Sequence, residues 1–316
     1  MAFIGIDVGG TNVRGALVDC DGRILTWHEE RTPVESVDRL IDSLTWVVLS
    51  LKRGSEGEIR AVGVGFPGLI DVENGVVKYS PNLPAYSELE LAELLADKSG
   101  LPVFLANDAN LAAVGEMWLG GGRDFKSFVL ITLGTGLGSG LIIDGKPFWG
   151  GTGYAAELGH ITVEPDGERC GCGQKGCLEA YCSATGLVKR ANRLKKEGEL
   201  SSLWEEDPAA DVVVTPEAID EAASDGDGLA SLLLLDAARY LGIAVAGLVN
   251  VAGIEAAVVG GRMANMSFDI LRLAEEEANS RAMTSRIARV KVVKSQLGDR
   301  AGCLGAARYA MDKCNE

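Results

Sequence analysis

The sequence predicts an α/β protein of two lobes, each carrying a mixed sheet, and three observations predict it. The chain has 316 residues, 47% of them hydrophobic; single cores stop growing near about 250–300 residues, so this length points to two cores. The stretch FIGIDVGGTNVRGALVDCDG (3–22) is echoed by FVLITLGTGLGSGLIIDG (128–145), and the alignment sets Gly9 on Gly134, Gly15 on Gly140 and Asp19 on Asp144. Between and after the two copies, short apolar runs alternate with amphipathic stretches, the pattern of strands alternating with helices.

Each copy reads as an apolar strand, a glycine-rich turn, a second apolar strand and an acidic turn, which is a β-hairpin whose turn can approach a ligand closely. Residues 33–52 read as a helix with Pro33 near its start, 61–68 as a buried strand ending in a turn, and 88–98 as an amphipathic helix. The run 101–106 is a strand leading into a helix from Asn107. Thr215 and Pro216 supply an N-cap and a first helical residue for 215–224, and a long helix spans 228–252. Its apolar tract 241–254 is broken by Asn250 and is shorter than the roughly 20 residues a bilayer span needs, so it reads as a buried helix. A strand at 255–259, the pair Gly260-Gly261, a helix, a strand at 290–294 and a terminal helix complete the chain. The polar tract 195–211 reads as a solvated insertion. The expected lobes are 1–118, completed by the C-terminal helix 301–316, and 119–300, which carries a loop at 160–177.

Lys and Arg number 30 against 45 Asp and Glu, a net charge of −15. Polyanion binding needs clustered cations that release counterions, so the balance excludes a sequence-independent grip on nucleic acid or an anionic membrane. A phosphate ligand must then be met locally, by backbone amides or a metal. The N-terminus MAFIGIDVGG lacks a basic region and places Asp7 inside its apolar stretch, unlike a secretory signal. Of seven cysteines, Cys170, Cys172, Cys177 and Cys182 are clustered while Cys20, Cys303 and Cys314 are scattered. Such clustering favours a metal in a reducing, cytoplasmic setting over a disulfide frame.

The run Asp7-Val8-Gly9-Gly10-Thr11-Asn12 ends a strand in adjacent glycines and a hydroxyl residue, which suits phosphate oxygens, with Asp7 able to hold magnesium directly or through water. Alone, this is equally a tight hairpin turn. A second copy at Gly134-Thr135-Gly136 favours a paired phosphate clamp. The dinucleotide fingerprint fails at Ser139, and the P-loop pattern from Gly140 fails at Pro147, which has no hydroxyl for a cation. His160, Cys170, Cys172 and Cys177 follow the spacing H-x9-C-x-C-x4-C with glycines at 171, 173 and 176, a closed tetrahedral zinc set of structural type. Asp108, after Asn107 at a strand-to-helix junction, is either a helix cap or a general base aimed into a cleft. Glu157, His160 and Glu179 flank the zinc loop and offer fixed acceptors for a polyhydroxyl ligand, or are solvated. Gly260-Gly261 is either an ordinary turn or a bare surface for a flat base.

Together these pieces resemble the ROK family of sugar kinases: DVGGTN (7–12), GFPGLID (65–71), SPNLP (80–84), ANDAN (106–110), LGTGLG (133–138), AELGH (156–160), CGCGQKGCLE (170–179) and VVGGR (258–262), in family order over nearly the whole chain. The resemblance implies an actin-like, hexokinase-like ATPase fold with ribonuclease H-like duplicated mixed sheets and a structural zinc loop. It implies a bilobal kinase that closes over a hexose and magnesium-ATP, with Asp108 as general base for the sugar's 6-hydroxyl. By the same resemblance Gly68, Asn82, Asn107, Glu157, His160 and Glu179 bind the sugar, and Gly9, Gly10, Thr11, Asn12, Gly134, Thr135 and Gly136 meet the phosphates. Asp7 helps place magnesium, Gly260 and Gly261 flank the adenosine, and His160 serves both zinc and sugar. Glucose is the expected acceptor, with N-acetylmannosamine or N-acetylglucosamine as the alternative and polyphosphate as a minor alternative donor. Sugar-sensing repressors of the family carry a DNA-binding segment ahead of the first turn, where this sequence has six residues before Asp7, so the kinase reading is preferred. A homodimer or homotetramer is expected by similarity.

Overall fold

The computed structural model describes residues 1–33, 36–55, 57–80, 86–204 and 213–315. Two five-stranded sheets repeat one plan. In the first, β1 (Ala2–Val8) lies between its hairpin mate β2 (Asn12–Asp19) and the parallel strand β4 (Ile59–Phe66); β3 (Ile24–Arg31) is the outer neighbour of β2. A small hairpin follows, β5 (Leu69–Asp71) with β6 (Val76–Tyr79), and β7 (Val103–Asn107) closes the far edge in parallel with β4. In the second sheet, β8 (Phe128–Leu133) lies between β9 (Leu137–Ile143) and β11 (Ala256–Gly260), with β10 (Lys146–Pro147) and β12 (Lys291–Lys294) at the edges. The sequence echo is thus a structural one: each copy is the central strand of its sheet with its hairpin mate.

Local sequence explains the helices that mount the site. α1 (Val37–Arg53) starts where the Ser36 side chain accepts from Arg39 N–H, and its Leu40, Ile41, Leu44, Val47, Val48 and Leu51 stripe is buried against the first sheet. α2 (Leu91–Ser99) ends in a left-handed Gly100. α3 (Asp108–Leu119) is capped by Asn107, whose side chain accepts from Asn110 N–H, so Asp108 is the first helical residue and not the cap. In α7 (Gly228–Ala252) Asp227 caps the start and left-handed Gly253 the end. It is the one helix among the described residues long and apolar enough to cross a membrane, and most of it is buried within the protein. α4 (Glu179–Cys182), α5 (Ala184–Lys196), α6 (Pro216–Ser224) and α8 (Ile270–Arg281) complete the described helices of the second part.

α9 (Ala301–Lys313) is rich in glycine and alanine because it lies directly on backbone. A Cβ on Gly5 of β1 would come 1.9 Å from Cys303 O, and one on Gly63 of β4 the same distance from Ala306 O. Where α9 crosses α3, Gly305 meets Leu111 O and Gly115 meets Ala301 O at similarly short range. Nothing larger than glycine fits these four places.

The chain divides into two compact units: Met1–Lys126 with Gly140–Ala156 and Gln296–Glu316, and Ser127–Ser139 with Glu157–Ser295. Residues 119–126 and 140–156, which the sequence reading placed in the second lobe, cluster with the first. Gly140 accounts for part of this, since its bare α-carbon lets β9 approach Ala109 and Asn110 of α3. The tract 195–211 is only partly a solvated loop. α5 runs through Lys196, and Leu203 and Trp204 are buried, with the indole N–H donating to Glu199 O. Residues 205–211 of that tract lie outside the described residues.

Candidate active site and metal centre

In the first unit the glycine turn joins β1 to β2. Gly9 N–H donates to Asn12 O at 2.9 Å, and a Cβ on Gly10 would meet nothing within 4 Å. The turn therefore has open space beside it. Its carbonyls are held back by Thr32, whose hydroxyl donates to Gly9 O at 2.6 Å and whose N–H donates to Thr11 O at 2.8 Å. The Asn12 amide is engaged with Glu29.

Asp7, the residue before the end of β1, faces its cross-strand partner Arg14, which is in turn paired with Glu29 on β3. The guanidinium bonds Glu29 at 3.2 Å and Asp299 at 3.1 Å. A Cβ on Gly302 would sit 2.5 Å from the Asp7 carboxyl carbon, so α9 closes over this group. Burial, helped by the neighbouring Asp108 carboxylate, pushes Asp7 up to about 7, with Arg14 pulling the other way. Burial likewise raises Asp108, against the Ala109 N–H that bonds its carboxylate at 2.9 Å. Two neighbouring carboxylates in poor solvent compete for a proton, a setting that strengthens proton acceptors and that a divalent cation would relieve.

Asn107 does more locally than the sequence suggested. Its Oδ1 accepts from both Asn110 N–H and Asn110 Nδ2, while its Nδ2 donates to Gly68 O at 3.1 Å. Gly68 has φ 121°, and a Cβ there would lie 2.2 Å from Tyr79 O. Asn82 lies outside the described residues.

In the second unit, the turn Gly134-Thr135-Gly136 is mounted on three residues after the cysteine loop. Ala184 N–H donates to Gly134 O at 2.9 Å, Thr185 N–H to Thr135 O at 3.4 Å, and Leu137 N–H to Glu179 at 2.9 Å. A Cβ on Gly136 would come 2.7 Å from Glu179 Oε2, while Gly134 has open space. Gly261, at φ 87°, would place a Cβ 2.4 Å from Leu133 O. The Gly260-Gly261 pair therefore abuts the strand that feeds the second turn.

The ligand atoms of His160, Cys170, Cys172 and Cys177 all lie within 4.8 Å of one another. Cys172 and Cys177 sulfurs are 3.7 Å apart, and Cys170 Sγ is 3.8 Å from His160 Nδ1. With Zn–S near about 2.3 Å, the edge of a tetrahedral site is about 3.8 Å, so the set has the dimensions and donors of a zinc site. Burial holds Cys170 and Cys177 toward the neutral thiol. A bound cation would supply the charge that makes them thiolates. Left-handed Gly173 and Gly176 shape the loop, and a Cβ on Gly176 would lie 1.7 Å from Glu164 O. Because Nδ1 of His160 faces the sulfurs, Nε2 is the nitrogen left for another partner.

Glu179 links this loop to the second turn: one oxygen accepts Leu137 N–H and the other lies 3.5 Å from the Cys170 thiol. Glu157 and His160 bracket the short helical turn Leu158–His160, whose first N–H donates to Ser139 Oγ at 3.1 Å. Two of these supporting residues escaped the sequence reading. Thr32 follows a strand whose residues alternate between partly buried and exposed, and Ser139 entered only as the residue that spoils a glycine fingerprint. Neither has a signal short of the fold itself.

The whole chain is similar to known sugar kinases. Glucokinase of Thermotoga maritima is 36% identical over 319 residues, spanning 99% of this chain and 98% of the relative. The crystal structure of a ROK hexokinase from Thermus thermophilus matches with a TM-score of 0.87 at 31% identity, over 100% of this chain and 99% of that one. That of a ROK family glucokinase from Streptomyces griseus, in complex with glucose and AMPPNP, matches at 0.81 and 33% identity over 99% and 100%. The ROK family model matches residues 3–313, and the chain belongs to the ROK family.

Proposed function

We propose that this protein is an ATP-dependent hexose kinase that phosphorylates the 6-hydroxyl of glucose. The observation that carries the reading is Asp108, a carboxylate at the start of α3 whose affinity for a proton burial raises, set beside Asp7 of β1, the strand that leads into an open glycine turn. Similarity to a glucokinase solved with glucose and AMPPNP supports the choice of acceptor and donor.

In this reading Asp108 accepts the proton of the 6-hydroxyl as that oxygen bonds to the γ-phosphorus. The bond from that phosphorus to the β–γ bridging oxygen breaks, and ADP leaves with the electron pair. Phosphoryl transfer of this kind depends mainly on positioning and charge stabilisation. Asp7 would hold magnesium, directly or through water, and the ion would neutralise charge on the phosphates. Gly9, Gly10, Thr11 and Asn12 and the turn Gly134, Thr135 and Gly136 would meet phosphate oxygens, and Gly260 and Gly261 would flank the adenosine. Gly68, Asn82, Asn107, Glu157, His160 and Glu179 would bind the sugar. His160, Cys170, Cys172 and Cys177 would hold a structural zinc that fixes Glu179 and His160. A cytoplasmic homodimer or homotetramer is the corresponding assembly, which light scattering would measure.

The deciding experiment is a kinase assay with ATP across glucose, mannose, fructose, N-acetylglucosamine and N-acetylmannosamine. Glucose should give the highest kcat/KM. A higher value for an N-acetyl sugar would replace glucose as the acceptor, and no turnover on any of the five would remove the kinase reading.

A further inference from the structure

We propose that Thr32 is a positioning residue for nucleotide binding, acting by aiming the backbone of the first glycine turn; this rests on the reading of that turn as a phosphate cradle. The strand pairing ends at Asn12↔Arg31, which brings Thr32 alongside the turn. Only 8% exposed, it spends both its donors there, the hydroxyl on Gly9 O at 2.6 Å and the N–H on Thr11 O at 2.8 Å. A trans peptide group is planar and holds its C=O and N–H on opposite sides. Fixing the Gly9 carbonyl toward Thr32 therefore turns the Gly10 N–H the other way. An anion needs those donors presented and the carbonyl oxygens withdrawn, because a carbonyl dipole aimed at a phosphate repels it.

The second turn solves the same problem with different parts. There the carbonyls of Gly134 and Thr135 are drawn back by the N–H groups of Ala184 and Thr185 at the start of α5, whereas the tie to the first turn comes from Thr32 at the end of β3. Closing a hairpin does not require its turn carbonyls to be tied to a third segment. That both copies have this tie, from unrelated elements, points to the ligand and not to the hairpin as its reason. In the first turn one of the two ties is a side-chain hydroxyl, so it can be removed without touching the backbone.

Thr32→Val keeps the shape and the N–H and removes only the hydroxyl bond. Calorimetry with AMPPNP and magnesium should show affinity weakened about five- to tenfold, the worth of one ordinary hydrogen bond, with affinity for the preferred hexose unchanged. Thr32→Ser should restore nucleotide affinity to within about twofold of wild type. General loss of structure would instead weaken both ligands and lower the melting temperature, and serine would not rescue it. Thr32→Ala takes the place of the valine variant if that does not fold. Gly10→Val, which fills the open space beside the turn, separates the two ideas. If it abolishes AMPPNP binding while Thr32→Val leaves it intact, the role of Thr32 is wrong and the cradle stands. If AMPPNP still binds to Gly10→Val, the cradle reading itself falls.

Discussion

The proposed mechanism makes opposite demands on Asp7 and Asp108, one toward a cation and one toward a proton, and each has a test of its own. Asp108→Asn keeps the size and the helix start but cannot take a proton. Turnover should fall by about 10²–10⁴-fold, the usual contribution of a positioned base, while the sugar still binds by calorimetry; turnover within tenfold of wild type would remove Asp108 from that role. For Asp7 the signature is in stability. Its pKa is 3.8 as an ordinary side chain and about 7 when folded, so the folded state holds the proton more tightly than the unfolded one. Its contribution is therefore fully present below about pH 4 and is lost as pH rises through 7. In magnesium-free buffer, urea midpoints of wild type and Asp7→Asn should agree near pH 4, and the variant should become the more stable protein by pH 8. Parallel profiles over that range would show that Asp7 is not held in this way.

Among the elements, the cysteine loop is joined to the second glycine turn through one side chain, Glu179, which meets Cys170 with one oxygen and Leu137 N–H with the other. The loop's spacing and glycines were readable because zinc needs soft ligands close together and the chain needs left-handed turns to bring them there. Glu179 was readable as an acceptor beside that loop and, by resemblance, as a sugar-binding residue, but not as a support of the second glycine turn. Its bond to Leu137 N–H spans 42 positions, and no local pattern records a pairing of that kind. The bond has a consequence. Cys172→Ser, or exposure to a strong chelator, should weaken AMPPNP binding as well as sugar binding, since Glu179 supports the turn between Gly134 and Leu137. Elemental analysis of freshly purified protein should find about one zinc per chain, as a closed four-ligand site requires; protein that is zinc-free yet fully active would sink the structural-metal assignment.

Over the whole molecule, the duplicated sheet plan was legible because the echo of residues 3–22 in 128–145 repeats a strand, a turn and a strand with the same glycines. What stayed hidden are contacts between segments distant in sequence, and Glu116 is the clearest case. In the sequence it is one more acidic residue on a helix; in the structure it is fully buried near the end of α3. Its carboxylate accepts Gly121 N–H at 2.6 Å, Gln296 N–H at 3.2 Å and Leu297 N–H at 3.0 Å. It thus fixes the segment that leaves α3 and, 180 positions later, the segment that returns into α9. α9 in turn covers Asp7 and lies on β1 and β4, so the return of the chain is part of how the first unit is closed. Removing the carboxylate takes the acceptor from three N–H groups of partly buried to exposed residues, each bond worth about 1 kcal/mol, so Glu116→Ala should lose roughly 2–4 kcal/mol of stability. Glu116→Gln keeps one acceptor oxygen and should lose less than half of that. Urea unfolding of the two variants measures the difference, and hydrogen exchange at Gly121, Gln296 and Leu297 should rise in both while the amides of β8 and β11 stay protected. An alanine variant within about 1 kcal/mol of wild type would mean that these donors find water, and that α9 is held by its glycine contacts alone.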